Sequence, residues 1–273
     1  MPRIGSSPFA FPDFRGATRR LILINLAAFF VLWIASAVSS TAAQIAGALT
    51  FDPHLFLRGY FWQPLTYSFV HAGILNTLFE LLSLWFMAGF LEGFHDARWV
   101  TSLYAVSVLG AALAALALYL CCSTLAPSLV IGANPLYGCF GGIFGLLAAI
   151  GLLYGDLQFM LFPLPIGIKA RYLVIIYALI SVAMLFTQQH MYAFAQLGGA
   201  LAGLLFVRTA PRHGFSFMLS EGWYGMRNRY YRWKRRKAAR KFEVYMKRQG
   251  RTVKFDGQGR LMDDDPDDKK RWN

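Results

Sequence analysis

Charged residues are scarce in this chain of 273 residues: Asp, Glu, Lys and Arg make up 15% of it, whereas hydrophobic residues make up 56%. This balance excludes an ordinary soluble globular protein, in which about a quarter of the residues are charged. The hydrocarbon core of a bilayer needs roughly 20 apolar residues for each helix that crosses it. Because several stretches of the sequence approach that length, we predict an all-α, polytopic membrane protein.

Cysteine is also scarce, and this limits the chemistry that the chain can support. The three cysteines, Cys121, Cys122 and Cys139, lie in or beside apolar segments. Such positions are typical of small packing residues and not of a disulfide framework or a metal site. We therefore predict no metal site and no cofactor. The N-terminal segment has no small-residue cleavage site, so we expect the first helix to remain as an anchor.

Basic residues are concentrated at the C-terminal end. Residues 208–273 contain 19 of the 27 Lys and Arg and 8 of the 14 Asp and Glu, a net charge of +11, and the remainder of the chain carries +2. This composition divides the sequence into an apolar body and a basic tail. We predict a cytoplasmic N-terminal segment at 1–20, a membrane domain at 21–207 and a basic cytoplasmic tail at 208–273.

The predicted membrane domain contains six apolar segments, separated by short polar or proline-containing connections. Lys and Arg residues are found in every second connection. The connections on the opposite side contain a single Lys or Arg, which is Arg58. By the positive-inside rule both termini are then cytoplasmic, and we expect a bacterial-type inner membrane. The six segments are residues 21–43, 74–91, 99–121, 138–154, 172–188 and 193–207.

The fourth and sixth segments carry small residues at matching i, i+3 and i+7 spacing. Glycine on one face of a helix lets a second backbone approach closely, and this packing is a main source of helix association in lipid. We expect the two faces to meet, although separate glycine-rich helices that face other partners remain an alternative. The residues are Gly138, Gly141 and Gly145 in one segment and Gln196, Gly199 and Gly203 in the other.

Four segments, residues 62–71, 89–93, 138–149 and 195–203, carry motifs that in this order resemble the rhomboid family of intramembrane serine proteases. Residues 62–71 resemble the loop that leads into helix two, and residues 89–93 resemble the end of that helix. Residues 138–149 resemble the helix with the Gly-x-Ser-Gly nucleophile motif, and residues 195–203 resemble the helix with Ala-His-x-Gly-Gly. The resemblance covers about residues 20–207, and it implies a six-helix rhomboid-like bundle.

The residues that this resemblance implies for catalysis are replaced. Phe140 stands at the position of the nucleophilic serine, and Gln196 stands at that of the general-base histidine. A phenyl ring has no proton to lose, and an amide is not basic near neutral pH, so neither residue can take these roles. The oxyanion-stabilising pair corresponds to Asn76 and Glu80, and an ionised Glu80 would repel a developing oxyanion. We predict that no catalytic site is intact.

Two other groups are weaker candidates for catalysis. Cys139 precedes Phe140 by one residue, about 100° round a helix, and no base is close to it in sequence. Ser68 lies three residues before His71, but no third group is evident to orient them. We interpret His71 as a structural hydrogen bonder.

Glu80 is the most informative residue, because an acidic side chain inside a transmembrane segment is costly. Asn76, Glu80 and Ser83 share one helical face, which we expect to point at Gln196. We therefore predict a hydrogen bond between Glu80 and Gln196, within a polar core that includes His71. A structural role for this core and a client- or proton-binding role both remain open.

The basic tail predicts a helix at about 221–248, followed by an acidic end at 263–268. Cations interleaved with aromatic residues are expected of a helix at an anionic membrane surface, so membrane lipids are the favoured partner. Nucleic acid or the ribosome is the alternative, because tyrosine and tryptophan stack on bases. The contact residues are Arg227, Arg229, Arg232, Lys234, Arg235, Arg236, Lys237, Arg240 and Lys241.

Inactive members of the rhomboid family bind transmembrane clients without cutting them, so the resemblance implies a client-binding or scaffolding pseudoprotease. The docking face would then lie between helices two and five. An active rhomboid-family protease with an unconventional site and a structural subunit of a larger membrane complex are the alternatives. A transporter is a third, which rests on Glu80 alone.

Overall fold

The computed structural model divides the chain into two compact units, Met1–Phe215 and Ser216–Asn273. The residues that it describes are 12–125, 134–161, 166–187, 189–209, 215–250, 254–255 and 261–262.

Helices form nearly all of the first unit. In chain order they are α1 (Gly16–Val38), α2 (Ser40–Leu49), α3 (Pro53–Leu57), α4 (Gln63–Thr66), α5 (Ile74–Glu92), α6 (Ala97–Leu125), α7 (Phe140–Leu153), α8 (Ala170–Met184) and α9 (His190–Thr209). A short antiparallel hairpin of β1 (Gln158–Leu161) and β2 (Ile166–Lys169) connects α7 to α8.

Within the described part of the chain, four helices are long and apolar enough to cross a membrane: α1, α5, α6 and α9. The helices α7 and α8 are apolar but shorter. A short apolar helix is stable in a membrane protein when other helices, instead of lipid, surround it. The helix α7 meets this condition, because every residue from Gly141 to Ile150 is buried.

Small residues allow α6, α7 and α9 to pack with their backbones close together. A Cβ atom on Gly199 would overlap the carbonyl of Gly141, and one on Gly203 would lie 2.6 Å from the carbonyl oxygen of Gly145. The glycine faces predicted for the fourth and sixth segments therefore lie against each other. On α6, Gly110 lies against Ala202 of α9, a contact that the sequence reading did not include.

The N-terminus of α1 is held by the last residue of α5. Both carboxylate oxygens of Glu92 accept backbone N–H groups, from Ala17 at 2.8 Å and from Thr18 at 2.9 Å, and the Thr18 hydroxyl donates to the same carboxylate at 2.7 Å. Gly16 has φ +53°, and a Cβ atom there would overlap the Glu92 carboxylate. Glu92 therefore satisfies two helix-terminal donors and requires glycine at position 16.

The structure corrects several predicted boundaries. The first apolar segment does not continue as one helix to residue 43, because Ser39 is extended, ends α1 and caps the N-terminus of α2. The helix of the fourth apolar segment, α7, begins at Phe140, so Gly138 lies in the turn before this helix. The hairpin between α7 and α8 was not predicted.

The second unit contains α10 (Phe215–Arg248) and a short antiparallel pair of β3 (Lys254–Phe255) and β4 (Leu261–Met262). Side chains of α10 are described at 227–239 and 242–248. The predicted acidic end at 263–268 lies outside the described residues.

Candidate functional site

A buried carboxylate is the centre of the polar site in the membrane domain. Glu80 lies in the middle of α5, and its side chain and the His71 ring are both fully buried. Glu80 Oε2 is 3.0 Å from His71 Nδ1, and Oε1 accepts the amide of Asn76 at 2.6 Å. The backbone N–H of Cys139 also donates to Oε2, at 3.0 Å. Three groups from three parts of the chain therefore surround one carboxylate.

The contact with Cys139 places Glu80 at the N-terminus of α7. The first N–H groups of a helix have no partner within the helix, and they carry a partial positive charge that favours a carboxylate. Gly138, just before this terminus, has φ +86°, and a Cβ atom on it would lie 2.6 Å from Glu80 Oε2. Glycine at position 138 thus allows both the turn and the close approach of Glu80.

Asn25 determines where one proton of this site lies. Its Nδ2 donates to the carbonyl of Leu21 at 2.7 Å, so its Oδ1 faces His71 Nε2 at 3.1 Å. An amide oxygen only accepts, and His71 Nε2 must therefore carry a proton. On this side of the ring, the imidazole therefore donates the hydrogen bond and Asn25 accepts it.

A second proton lies between His71 and Glu80, because two lone pairs facing each other at 3.0 Å would repel. Whether this proton is on His71 Nδ1 or on Glu80 Oε2, the two residues together have no net charge. A neutral pair with its hydrogen bonds satisfied costs much less inside a membrane than an isolated carboxylate. The site is therefore a hydrogen-bonded polar core that connects α1, α5 and α7.

The predicted hydrogen bond between Glu80 and Gln196 is wrong. Gln196 is buried on α9, and its Oε1 accepts the hydroxyl of Ser181 on α8 at 2.7 Å. Glu80 instead bonds His71, Asn76 and the backbone of Cys139. The α5 face that carries Glu80 points at the N-terminus of α7 and not at Gln196, so the two polar groups belong to separate sites.

The remaining predicted residues do not form a catalytic arrangement. Phe140 is half-buried and packs against the hydrophobic core, and Ser83 is half-buried on α5. Cys139 is fully buried, with Sγ 3.6 Å from Glu80 Oε2. The Ser68 hydroxyl donates to the carbonyl of Leu65 at 3.3 Å, so it is not paired with His71. Among the described residues, no cluster of His, Cys, Asp and Glu has a composition suited to a metal ion.

The sequence profile described as "Eukaryotic integral membrane protein (DUF1751)" matches residues 23–215. The chain belongs to this family. The match covers most of α1 and all of α5–α9, and it agrees with the helical, membrane-spanning architecture. No curated protein matches the chain.

Membership of this family corrects one expectation and leaves another without support. The family is described as eukaryotic, which is at odds with the bacterial-type inner membrane that the sequence reading predicted. The matching profile is that of a DUF1751 integral membrane protein and not of a rhomboid protease. Integral membrane character is therefore established for this family member.

Sequence reasoning missed two residues of the polar core in this DUF1751 protein. Asn25 is buried in the apolar helix α1, and a polar amide within an apolar span was the available signal. Tyr104 on α6 is buried, and its hydroxyl lies near the side chains of Asn25 and Ser68. No pattern in the sequence indicates that Tyr104 belongs to the core, because tyrosine is common at ordinary packing positions.

Asn76 is the one member of the Glu80 cluster that is exposed on the helix surface. Its amide nitrogen donates to Glu80, and its amide oxygen has no partner among the described residues. It is surrounded on α5 by exposed apolar side chains, with Leu75 71% exposed and Phe79 65% exposed. An amide oxygen is therefore available at an otherwise apolar surface, close to the start of α5.

Proposed function

We propose that this DUF1751 membrane protein is a rhomboid-like pseudoprotease, which binds transmembrane segments of other proteins and does not cut them. The observation that carries this proposal is the exposed amide of Asn76 on the apolar face of α5. An unpaired amide oxygen at a low-dielectric surface gains free energy when another helix supplies a hydrogen-bond donor. A client helix with one polar residue offers such a partner.

The lack of proteolysis is supported by the residues that occupy the catalytic positions. Phe140 has no nucleophilic atom, and Gln196 is bonded to Ser181. Cys139, the nearest thiol, is fully buried. The groups around Glu80 bond one another, and their arrangement stabilises helix positions.

We place the client face between α5 and α8, the second and fifth of the six apolar helices. Phe79, one turn beyond Asn76 and about 60° round the helix from it, continues this face and is 65% exposed. On α8, Leu179 and Ile180 are 62% and 51% exposed. Both helices pack against α7, so a client helix between them would contact a rigid, buried support.

The proposed topology has six spans, with α7 and α8 as the two short ones and both termini in the cytoplasm. It is supported by the alternation of basic connections, of which Arg98, Lys169 and Arg171 lie on the same side as the basic tail. On this topology, the start of α5 with Asn76 is close to the non-cytoplasmic surface.

Proteolytic activity is tested with a fluorophosphonate probe on the purified protein, beside the double variant Phe140→Ser and Gln196→His, with intact mass as the readout. We expect no labelling of the natural sequence. Labelling of the natural sequence would overturn the pseudoprotease assignment. Labelling of the double variant alone would add support for the rhomboid-like placement of positions 140 and 196.

Client binding is tested with a photo-crosslinking amino acid at Phe79, which is 65% exposed, and with a matched control at Leu113 on α6, which is 64% exposed. The reporters are single-span poly-leucine helices with or without one glutamine near the non-cytoplasmic end of the span. An interhelical amide bond is worth about 1–2 kcal/mol, so the crosslinker at position 79 should capture the glutamine reporter roughly tenfold better. Asn76→Leu should abolish this preference, and equal capture of both reporters would contradict the proposal.

A further inference from the structure

The basic residues of α10 are distributed round the whole helix. At 3.6 residues per turn, the cations described at 227–239 and 242–248 leave no sector wider than about 80°. The acidic residues of α10 are Glu221 and Glu243. Among the described side chains of this helix, Arg229, Arg232 and Arg236 form no ion pair, so their charge is available to a partner.

Aromatic side chains are interleaved with these cations and are also exposed. Tyr230, Tyr231 and Trp233 are 56%, 51% and 53% exposed. The rings of Tyr230 and Trp233 lie 6.2 Å apart, and Lys237 lies 5.1 Å from the centre of the Trp233 ring. Water-exposed aromatic faces that are flanked by cations suit stacking on a planar, negatively charged ligand.

One groove on α10 combines both features. It is lined by Arg227, Asn228, Tyr231 and Arg235, so a ring lies between two guanidinium groups on one face of the helix. Arg227 and Arg235 are two turns apart, about 12 Å along the axis, with Tyr231 midway. A phosphate can contact Arg235 while a base stacks on the Tyr231 ring.

The distribution of charge disfavours insertion of this helix into a membrane surface. A helix that lies in the interface buries an apolar stripe wider than about 100° in the acyl-chain boundary. Since no cation-free sector of that width exists here, any orientation would bury Lys or Arg. A hydrated polyanion imposes no such requirement, because phosphates can approach the helix from several sides.

We propose that α10 binds RNA, with backbone phosphates on its cations and bases stacked on Tyr230, Tyr231 and Trp233. Phosphate contacts supply affinity that depends on salt but little on sequence. Stacking adds about 1–3 kcal/mol for each base. The cytoplasmic side proposed for the tail is where RNA is available, and the binding does not depend on whether the membrane domain holds clients.

The test uses the full chain in nanodiscs of neutral phosphatidylcholine and a fluorescent polypyrimidine RNA of about 16 nucleotides. One variant replaces Tyr230, Tyr231 and Trp233 with leucine, and it keeps every charge. A second replaces Arg232, Arg235 and Arg236 with glutamine. The matched control, Arg19→Gln with Arg20→Gln, removes charge before the first apolar stretch.

We expect the aromatic variant to weaken RNA binding at least about tenfold, with the salt dependence unchanged. The arginine variant should reduce the salt slope by about 2, since each single-strand phosphate contact contributes about 0.7. The control should bind as the natural sequence does.

Flotation with phosphatidylserine vesicles separates RNA from lipid as the partner. RNA binding that resists the aromatic substitutions, combined with flotation that is lost in the arginine variant, would assign α10 to anionic lipid headgroups and overturn the proposal. Equal binding of RNA and of an aromatic-free polyanion such as dextran sulfate would also overturn it. Aromatic-dependent RNA binding without flotation would support it.

Discussion

The carboxylate of Glu80 accepts the backbone N–H of Cys139 at 3.0 Å, so the middle of α5 binds the N-terminus of α7. Glu92, at the end of the same helix, does the same for α1. Each carboxylate satisfies helix-terminal donors that would otherwise be unpaired in a low-dielectric environment. The two acids of α5 therefore fix the positions of two other helices.

Replacing Glu80 with glutamine should destabilise the protein by about 3 kcal/mol. Glutamine turns one acceptor into a donor, and its amide would face an N–H of His71, Asn76 or Cys139. Ser83→Ala, on the same helix, is the matched control and should change stability by less than about 0.5 kcal/mol. The measurement is reversible unfolding in mixed micelles, and equal effects of the two substitutions would contradict a structural role for the carboxylate.

Gly199→Ala should destabilise the membrane domain by about 2 kcal/mol, because the new methyl group overlaps the backbone of Gly141, which cannot move without shifting α7. Gly47→Ala is the control, since a Cβ atom there meets nothing within 4 Å. Alanine in this exposed part of α2 should stabilise by up to about 1 kcal/mol. Thermal unfolding in detergent distinguishes the two, and a neutral Gly199→Ala would show that α7 and α9 are not in close contact.

The effects of Gly16→Ala and Glu92→Ala on the free energy of unfolding should not be additive. Either substitution alone should lower stability by about 1–2 kcal/mol, the first through strain at φ +53° and overlap with Glu92, the second through two lost N–H partners. When Glu92 is replaced by alanine, the methyl group at position 16 no longer overlaps a carboxylate. Gly16→Ala should then destabilise the protein less. A double-mutant cycle measures this coupling, and strict additivity would contradict the described contact.

The free energy of unfolding should decrease at acidic pH because of His95, which lies in the connection between α5 and α6. Its ring stacks on Trp99 at 3.9 Å and bonds the Tyr154 hydroxyl at 3.1 Å. Burial lowers the pKa of His95, and Asp96 offsets part of this effect. As the pH falls, His95 is therefore protonated in the unfolded chain before it is protonated in the folded protein. The stability that is present above about pH 6.5 is lost as a result.

His95→Gln should flatten this acid dependence while it leaves stability near pH 8 less affected. Melting temperatures of both proteins across the range from about pH 8 to about pH 5 give the comparison. An unchanged acid slope in the variant would assign the dependence to another group.

Ser181 and Gln196 should behave as one unit. Ser181→Ala leaves the buried Gln196 oxygen without the hydroxyl that it accepts, at a cost of about 1–3 kcal/mol. Adding Gln196→Leu removes the unsatisfied group, so the double variant should be more stable than Ser181→Ala. If the double variant is the less stable of the two, the amide has a further partner.

Composition alone predicted the membrane class, because a chain with so few charges and such long apolar runs has no favourable state in water. Spacing predicted that glycines of the fourth and sixth segments would share faces, since helical geometry fixes which residues lie side by side. Glu80 was recognisable as important for the same kind of reason, because a carboxylate in an apolar run requires partners wherever it lies.

The partners themselves were decided by the tertiary structure. Helical periodicity fixes the face on which Glu80 lies but not the element that this face meets, so Gln196 was a reasonable and incorrect choice. His71, Cys139 and Asn25 reach the site through a connection, a helix terminus and a different helix, and no sequence spacing relates them. A hydrogen bond between residues that are distant in sequence forms only when helix packing brings them together. That packing results from many weak contacts between helices, which no local sequence pattern specifies.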